Sequence, residues 1–212
     1  MDSFHDLVPG SRDFFARLAA NNDREWFAAH KADYEAAVKR PADLLLDDIA
    51  QRLARDMGQT VTPKLYRVHR DVRFSKDKTP YNTHLHMQWT VQGAPISFMF
   101  GASASYCKLG VGSMAFPKDA LPGWRERVAG GHPVVAQAAA LEAAGWDMSD
   151  PALKRVPTPF PPDHPQGAHL RRKGLVLWHE VDAGEQASLT TTLPARFAEA
   201  TGFQRALSDA LA

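Results

Sequence analysis

The stretch from Leu65 to Gln92 has a hydrophobic pattern of period two, interrupted once by a charged connector. Because successive residues of a β-strand face opposite sides of a sheet, this pattern predicts two strands with one apolar and one polar face each. The predicted apolar faces contain Tyr66, Val68, Val72 and Phe74 in the first strand, then Thr83, Leu85, Met87, Trp89 and Val91 in the second. The predicted polar faces contain Arg67, His69, Asp71 and Arg73, then Asn82, His84, His86, Gln88 and Thr90. The polar faces are therefore where we expect a functional site.

Further short segments extend this pattern into a larger sheet. The pair Gln92-Gly93 predicts a tight hairpin turn, after which residues 96–100 alternate as a third strand. Residues 105–114 predict a fourth strand, in which Gly110 and Gly112 indicate a bulge or a close approach of another backbone. Because the connections are short, we expect antiparallel order.

Helical patterns lie on both sides of the predicted sheet. Ser11 is placed to cap a helix over residues 11–20, and Asn22 with Glu25 has the form of a capping box for the next helix. A later apolar stripe is followed by Gly58, which favours a helix C-terminus at that point. The N-terminal part is thus predicted to be helical.

The C-terminal part is predicted to be mixed. Residues 156–165 contain five prolines, which predict an ordered, extended loop. The elements expected after it are a helix near 165–172, a strand over 175–181, and helices near 194–200 and 203–211. We therefore predict a single α+β domain with a central antiparallel β-sheet of about four to five strands, flanked by N-terminal and C-terminal helices. Its parts are helices over about 11–58, the sheet over about 64–115, and helices and loops over about 118–212.

The charge of the chain is balanced overall but uneven along its length. A formal net charge of +1 argues against nucleic acid as a partner, because nucleic-acid-binding proteins usually carry a basic excess over a whole face. Residues 67–81, in contrast, contain five cations and two carboxylates, a net charge of +3. A local positive patch on a nearly neutral protein predicts a small anionic ligand.

Cysteine usage and hydropathy predict where the protein is located. The single Cys107 excludes an internal disulfide and fits a reducing compartment. The N-terminal residues lack the basic and apolar regions of a secretory signal, and no apolar stretch reaches the ~20 residues that cross a bilayer. We expect a cytoplasmic protein without a membrane partner.

Three motifs carry a resemblance to a known family. The first is NNxREWF, formed by Asn21, Asn22, Arg24, Glu25, Trp26 and Phe27. The second is RxxRDxRFSxDKxPY, formed by Arg67, Arg70, Asp71, Arg73, Phe74, Ser75, Asp77, Lys78, Pro80 and Tyr81. The third is LKRxPxxFxxDHP followed by LRxK, formed by Leu153, Lys154, Arg155, Pro157, Phe160, Asp163, His164, Pro165, Leu170, Arg171 and Lys173. On these residues the chain resembles an uncharacterised family known as domain of unknown function 2461. The resemblance implies a single conserved α+β domain and brings no reaction or cofactor with it.

The leading functional hypothesis is an anion-binding site on the predicted polar sheet face. Guanidinium groups match phosphate or carboxylate with paired N–H donors, and lysines and hydroxyls add further donors. The residues predicted to bind the ligand are Arg67, Arg70, Asp71, Arg73, Ser75, Lys76, Asp77, Lys78, Lys154, Arg171 and Lys173. The last three, with Arg155, belong to this site only if the third motif folds back onto the sheet.

The alternative hypothesis is that the same charges are structural. Asp71 and Asp77 lie beside the cations in the sequence and are able to form ion pairs with them. The protein would then be a non-enzymatic interaction or scaffold protein whose second motif is an ion-pair network. The two hypotheses differ in whether the cations converge on an open cleft or are each neutralised by a carboxylate.

The histidines also admit a metal site, which we do not favour. His84 and His86 share one predicted strand face, and His69 with Asp71 lies on the neighbouring strand, a ligand set that suits zinc. The adjacent arginines would repel a cation, and His69 and His86 lie outside the family pattern. We predict no metal site, and the sequence implies no cofactor.

The sequence leaves open whether the protein is an enzyme. Asp163 and His164 lie in the proline-rich loop, where they are candidates for an acid–base pair or for caps of the helix near Pro165. Tyr81 and His84, close to the basic patch, are further candidates for proton transfer.

Overall fold

The computed structural model describes residues 4–212. Its strands are β1 (Val61–Leu65), β2 (His84–Val91), β3 (Ser97–Ser103), β4 (Cys107–Ser113), β5 (Asp147–Met148) and β6 (Leu175–Glu180). In this part of the chain they form an antiparallel six-stranded sheet in the order β1-β2-β3-β4-β6-β5. The predicted α+β class is confirmed. The sheet has more strands than the sequence predicts, because β1, which contains Pro63, and the two-residue β5 carry no clear signal.

The helices lie before β1, between β4 and β6, and after β6. Their bounds are α1 (Leu7–Ala20), α2 (Arg24–Ala29), α3 (Lys31–Tyr34), α4 (Arg40–Met57), α5 (Ala120–Ala129), α6 (Pro133–Ala143), α7 (Gly167–Leu170), α8 (Ala183–Gln186), α9 (Leu189–Glu199) and α10 (Thr201–Leu211). A π-helical turn, Glu35–Lys39, joins α3 to α4, and Pro41 lies in the first turn of α4, where its missing N–H costs no helical hydrogen bond. No helix of the described residues is long and apolar enough to cross a membrane.

The chain forms two compact units, each assembled from three separate segments. The first unit contains Met1–Trp89, Met99–Leu109 and Glu180–Pro194, and the second contains Thr90–Phe98, Gly110–His179 and Ala195–Ala212. In the first unit the Phe14 ring packs against Phe15, Phe27 and Tyr34 at 5.4–6.2 Å between ring centroids. The core of the second unit contains the buried Trp124, whose ring lies 4.7 Å from that of Phe116.

Strand β2 has the alternation that the sequence predicts. Leu85, Met87, Trp89 and Val91 are buried, while the residues between them are half-buried. The indole Nε1 of Trp89 donates a hydrogen bond to the carbonyl oxygen of Leu46 in α4 (2.8 Å), which fixes this strand face against the helix. The apolar face of β2 therefore belongs to the core of the protein.

The predicted strand before β2 is wrong. Residues 66–83 form an irregular segment, which we call the central loop, with one antiparallel bridge between His69 and Tyr81. Of the predicted apolar face, Val68 is buried, whereas Phe74 is 96% exposed. The alternation in this stretch does not reflect burial, because side chains bond to the backbone here in place of a strand ladder.

Two helix caps differ from the prediction. Helix α1 begins at Leu7, so Ser11 lies buried inside it and does not cap it. Asp23, and not Asn22, caps α2 by accepting a hydrogen bond from the Trp26 backbone N–H (2.8 Å). The predicted end of α4 is confirmed, since Gly58 follows it in the left-handed conformation with φ +63°.

The second unit contains the close backbone approach predicted in β4. Gly112 has φ +145°, and a Cβ atom there would collide with the Leu175 carbonyl oxygen of β6. After the proline-rich loop the elements differ in extent from those predicted: α7 is shorter, and α9 begins before Pro194 and contains it. Because proline favours the first turn of a helix, the sequence predicts a start near Pro194, five residues after the observed start of α9 at Leu189.

Candidate functional site

The central loop is a narrow, hairpin-like excursion of the first unit. Besides the bridge at His69, the Arg70 N–H donates to the Pro80 carbonyl (2.8 Å) and the Asn82 N–H donates to the Val68 carbonyl (2.7 Å). These bonds close the base of the loop and leave residues 71–79 to form its outer part. The loop contains eight of the residues predicted to bind a ligand.

Arg70 is held by partners within the loop. Its guanidinium donates to an Asp77 carboxylate oxygen (2.6 Å), to the Thr79 carbonyl oxygen (3.1 Å) and to the Thr79 hydroxyl. Asp77 also accepts from the Thr79 N–H (2.9 Å). The Thr79 backbone N–H first, then the Arg70 and Thr79 side chains, lower the pKa of Asp77 to about 2. Arg70 and Asp77 thus form one ion pair of the loop.

Arg73 and Asp71 form a second ion pair. The Arg73 guanidinium donates to both carboxylate oxygens of Asp71 (3.0 and 2.7 Å), and this bond lowers the pKa of that carboxyl. Lys78 donates from Nζ to the Val72 carbonyl oxygen (2.9 Å). The other predicted ligand-binding residues of the loop are exposed Arg67, half-buried Ser75 and exposed Lys76. Two of the five cations of the loop are therefore paired with carboxylates.

Tyr81 at the end of the loop is held by the first motif. The Asn22 side chain accepts from the Tyr81 N–H (3.1 Å) and donates to the Tyr81 carbonyl (3.0 Å). The buried Tyr81 ring stacks on Phe27, with 4.2 Å between centroids. These contacts hold the end of the central loop in place. In the sequence Asn22 fits a capping-box pattern, and its spacing from Tyr81 does not indicate the contact between them.

The polar face of β2 contains a row of aromatic and imidazole rings. His84 and His86 stack at 3.9 Å between centroids, and His86 Nε2 lies 2.6 Å from the Tyr106 hydroxyl. Burial lowers the pKa of His84, and burial, followed by the His84 and Lys108 charges, lowers the pKa of His86 to about 4. Both imidazoles are therefore neutral at pH 7. Among the described residues, no three His, Cys, Asp or Glu side chains form a group that could hold a metal ion.

The second unit contains a basic pocket of about 450 Å³, which we call the proline-loop pocket. Its cationic and imidazole lining residues are Lys154, Arg155, His164 and Arg171, and its other lining residues are Val156, Pro162, Pro165, Gly167 and Ala168. Successive turns build the loop, since the Phe160 N–H donates to the Pro157 carbonyl and the His164 N–H to the Pro161 carbonyl. The Leu153 N–H donates to the Arg171 carbonyl (2.9 Å) and so brings the two cationic segments of the pocket together.

Two pocket side chains have fixed orientations. The Arg171 Nε donates to the Gly167 carbonyl oxygen (3.3 Å), and within residues 4–212 its terminal amino groups have no hydrogen-bond partner. His164 Nδ1 accepts from the Gln166 N–H (3.0 Å), so the neutral ring carries its proton on Nε2. His164 therefore caps the turn that precedes α7. Within the described chain, Asp163 makes no hydrogen bond to His164 and does not line the pocket.

The remaining predicted residue, Lys173, lies in a different cleft of the second unit. This cleft has a volume of about 250 Å³ and includes Asp150. The third motif thus contributes Lys154 and Arg171 to one pocket and Lys173 to another. It stays a prediction that Lys154, Arg171 and Lys173 form one site with the cations of the central loop.

Comparison with known proteins identifies a family and no function. Residues 11–205 match the model of a conserved hypothetical family, domain of unknown function 2461, which confirms the resemblance seen in the sequence. The matched range includes the central loop and the proline-loop pocket. No curated protein and no solved structure matches the chain.

Proposed function

We propose that this protein, which belongs to the conserved hypothetical family domain of unknown function 2461, binds a small anionic ligand in its proline-loop pocket. The observation that carries the proposal is the charge of the lining. Lys154, Arg155 and Arg171 share the pocket with His164, and no carboxylate is among the described lining residues. Like charges in a common cavity repel one another, and an anion placed between them replaces repulsion with attraction.

The donors of the pocket suit an anion. Arg171 is tethered through Nε, which leaves its terminal amino groups as a pair of N–H donors. The His164 ring adds an Nε2–H donor because its Nδ1 is engaged with the Gln166 N–H. Within the described residues, Lys154 and Arg155 are exposed and form no ion pair or hydrogen bond, so both are available to a ligand.

The central loop supports a second candidate function, a non-enzymatic interaction or scaffold role. Arg70 and Arg73 are paired with Asp77 and Asp71, and Lys78 is bonded to a backbone carbonyl. These contacts favour a structural ion-pair network in this part of the chain. If the pocket binds no anion, the scaffold role becomes the better explanation of the charged residues in the second and third motifs.

The test is a thermal-shift screen with phosphate, nucleotides, sugar phosphates and carboxylates at low salt. A ligand at ~100 times its Kd stabilises by about 2.7 kcal/mol, which raises Tm by roughly 5–10 °C for a chain of this size. We expect such a shift for the wild type, and its loss in Lys154→Gln and Arg171→Gln.

Lys118→Gln is the matched control, since Lys118 is an exposed lysine of the second unit outside the pocket. It should retain the full shift. The absence of a shift with every anion, or an equal shift in Arg171→Gln, would exclude the pocket as a binding site.

The proposal includes a cytoplasmic location, supported by the single, buried Cys107, whose burial raises the pKa of its thiol to about 12.

A further inference from the structure

We infer that the ligand of the proline-loop pocket is a phosphomonoester with an uncharged organic group. The inference rests on the proposed function and specifies its ligand class. It follows from three properties of the pocket: the number of its charges, the number of chain segments that supply its donors and the space that remains beyond them.

The charge of the lining favours a dianion. Lys154, Arg155 and Arg171 are three cations without a carboxylate in the lining, so a ligand with a single charge leaves a net charge of +2 in the pocket, and a ligand with two charges is attracted about twice as strongly. A phosphomonoester carries a charge of about −1.5 to −2 at pH 7, whereas a simple carboxylate carries −1. The phosphoryl group therefore matches the pocket better.

The donors come from three different parts of the chain. Lys154 and Arg155 lie in the segment after β5, His164 lies in the proline-rich loop, and Arg171 follows α7. Donors from three separate segments suit a tetrahedral group with three terminal oxygens. A planar carboxylate, with two oxygens in one plane, is satisfied by a single guanidinium fork.

The volume and the apolar lining indicate an organic substituent. A bare tetrahedral anion would leave most of the ~450 Å³ pocket empty, and pockets of this size normally hold a small organic molecule. Apart from Gly167, the rest of the wall is formed by Val156, Pro162, Pro165 and Ala168. These side chains carry no polar group, so the substituent that contacts them is expected to be uncharged.

The test compares phenyl phosphate, inorganic phosphate and benzoate by isothermal titration calorimetry at matched ionic strength. We expect phenyl phosphate to bind roughly tenfold more tightly than benzoate, because of its additional charge, and more tightly than inorganic phosphate, because of its ring. Arg171→Gln should weaken phenyl phosphate binding by about tenfold or more, and Lys118→Gln should not. Lys154→Gln serves as a second pocket variant if Arg171→Gln does not fold.

A pH series separates the two ligand classes. The second ionisation of a phosphomonoester has a pKa of about 6, so acidification from pH 7.5 to 5 removes its second charge, while benzoate stays charged. The series uses His164→Asn, which removes the imidazole from the pocket and has a side-chain oxygen that can still accept from the Gln166 N–H. Asp163, the neighbouring carboxyl, lies outside the lining. Phenyl phosphate affinity should fall several-fold over this interval and benzoate affinity should not.

Each result has one consequence. Equal affinities for phenyl phosphate and benzoate, without pH dependence, overturn the phosphomonoester and leave anion binding intact. Equal affinities for phenyl phosphate and inorganic phosphate overturn the organic substituent. No binding of any of the three, or binding that Arg171→Gln and Lys154→Gln leave unchanged, overturns the proposed function as well.

Discussion

His86 is kept neutral by the surroundings of its ring. Burial is the largest cause of the lowered pKa of His86, and the His84 and Lys108 charges add to it. The ring stacks on His84, lies edge-on to Tyr66 and bonds to the Tyr106 hydroxyl. Its folded-state pKa of about 4 lies below the ordinary value of about 6.5, so the unfolded chain takes up a proton more readily than the folded chain. Folding is therefore coupled to the loss of this proton.

This coupling predicts the direction of acid destabilisation. The stabilising contribution of neutral His86 is fully present above about pH 6.5 and is lost as the pH falls towards 4. We expect the urea midpoint of the wild type to decrease over this interval, and the decrease to be smaller in His86→Asn. His84 and His169, whose pKa values burial also lowers, maintain a residual slope.

Gln88→Ala is the control for that series, because Gln88 lies on the same face of β2 and does not titrate. Its pH dependence should equal that of the wild type. A His86→Asn slope identical to the wild-type slope would contradict the assignment of the proton uptake to His86.

The central loop depends on Asn22, a residue far from it in sequence. The two hydrogen bonds between the Asn22 amide and the Tyr81 backbone replace the bonds that a neighbouring strand would supply. We predict that Asn22→Ala lowers the free energy of unfolding by about 1–3 kcal/mol, because two half-buried backbone groups lose their partner. Urea denaturation measures the change, and hydrogen exchange at the Tyr81 amide locates it.

Asn21→Ala is the matched control, since Asn21 caps the C-terminus of α1 and its side chain makes one exposed bond to the Arg17 carbonyl. Its effect should be smaller and should leave exchange at Tyr81 unchanged. Equal protection of the Tyr81 amide from hydrogen exchange in the wild type and in Asn22→Ala would show that the loop does not depend on the two Asn22 hydrogen bonds.

The contrast between β2 and the central loop shows how much of the fold the sequence predicts. In β2 the alternation reflects real burial, because Trp89 and its neighbours pack into a core. In residues 66–74 the same alternation misleads, since Asp71 and Asp77 bond to nearby N–H groups and form turns. A period-two pattern indicates a β-strand only where one of the two faces is buried. The sequence alone does not show which segments have a buried face.

The candidate site is predictable in composition and not in arrangement. The third motif contains all the charged groups of the proline-loop pocket, and its prolines predict the ordered loop around it. The pocket forms because Leu153 bonds to Arg171, a pairing of distant residues that no local pattern indicates. The sequence also leaves two roles open for His164, an acid–base group or a helix cap. In the structure α7 begins at Gly167, and the His164 ring accepts from the Gln166 N–H in the turn before it.

The discontinuous composition of the first unit makes a prediction for the whole molecule. A fragment of residues 1–98 lacks Met99–Leu109 and Glu180–Pro194, which supply the buried Phe100, Leu109 and Leu189. We predict that this fragment has no cooperative urea transition and a poorly dispersed amide spectrum, whereas the full chain has both a cooperative transition and good dispersion. A folded spectrum for the fragment would show that the N-terminal segment is self-sufficient.

The same composition affects how the protein is made. Synthesis proceeds from the N-terminus at about 5–20 residues per second, so roughly 5–18 s separate the emergence of Trp89 from that of Glu180. During this interval the apolar face of β2 and the N-terminal helices have been synthesised, while the last segment of their unit has not. The nascent chain therefore exposes an incomplete core throughout this interval, and it is in this period that a chaperone would protect it from aggregation.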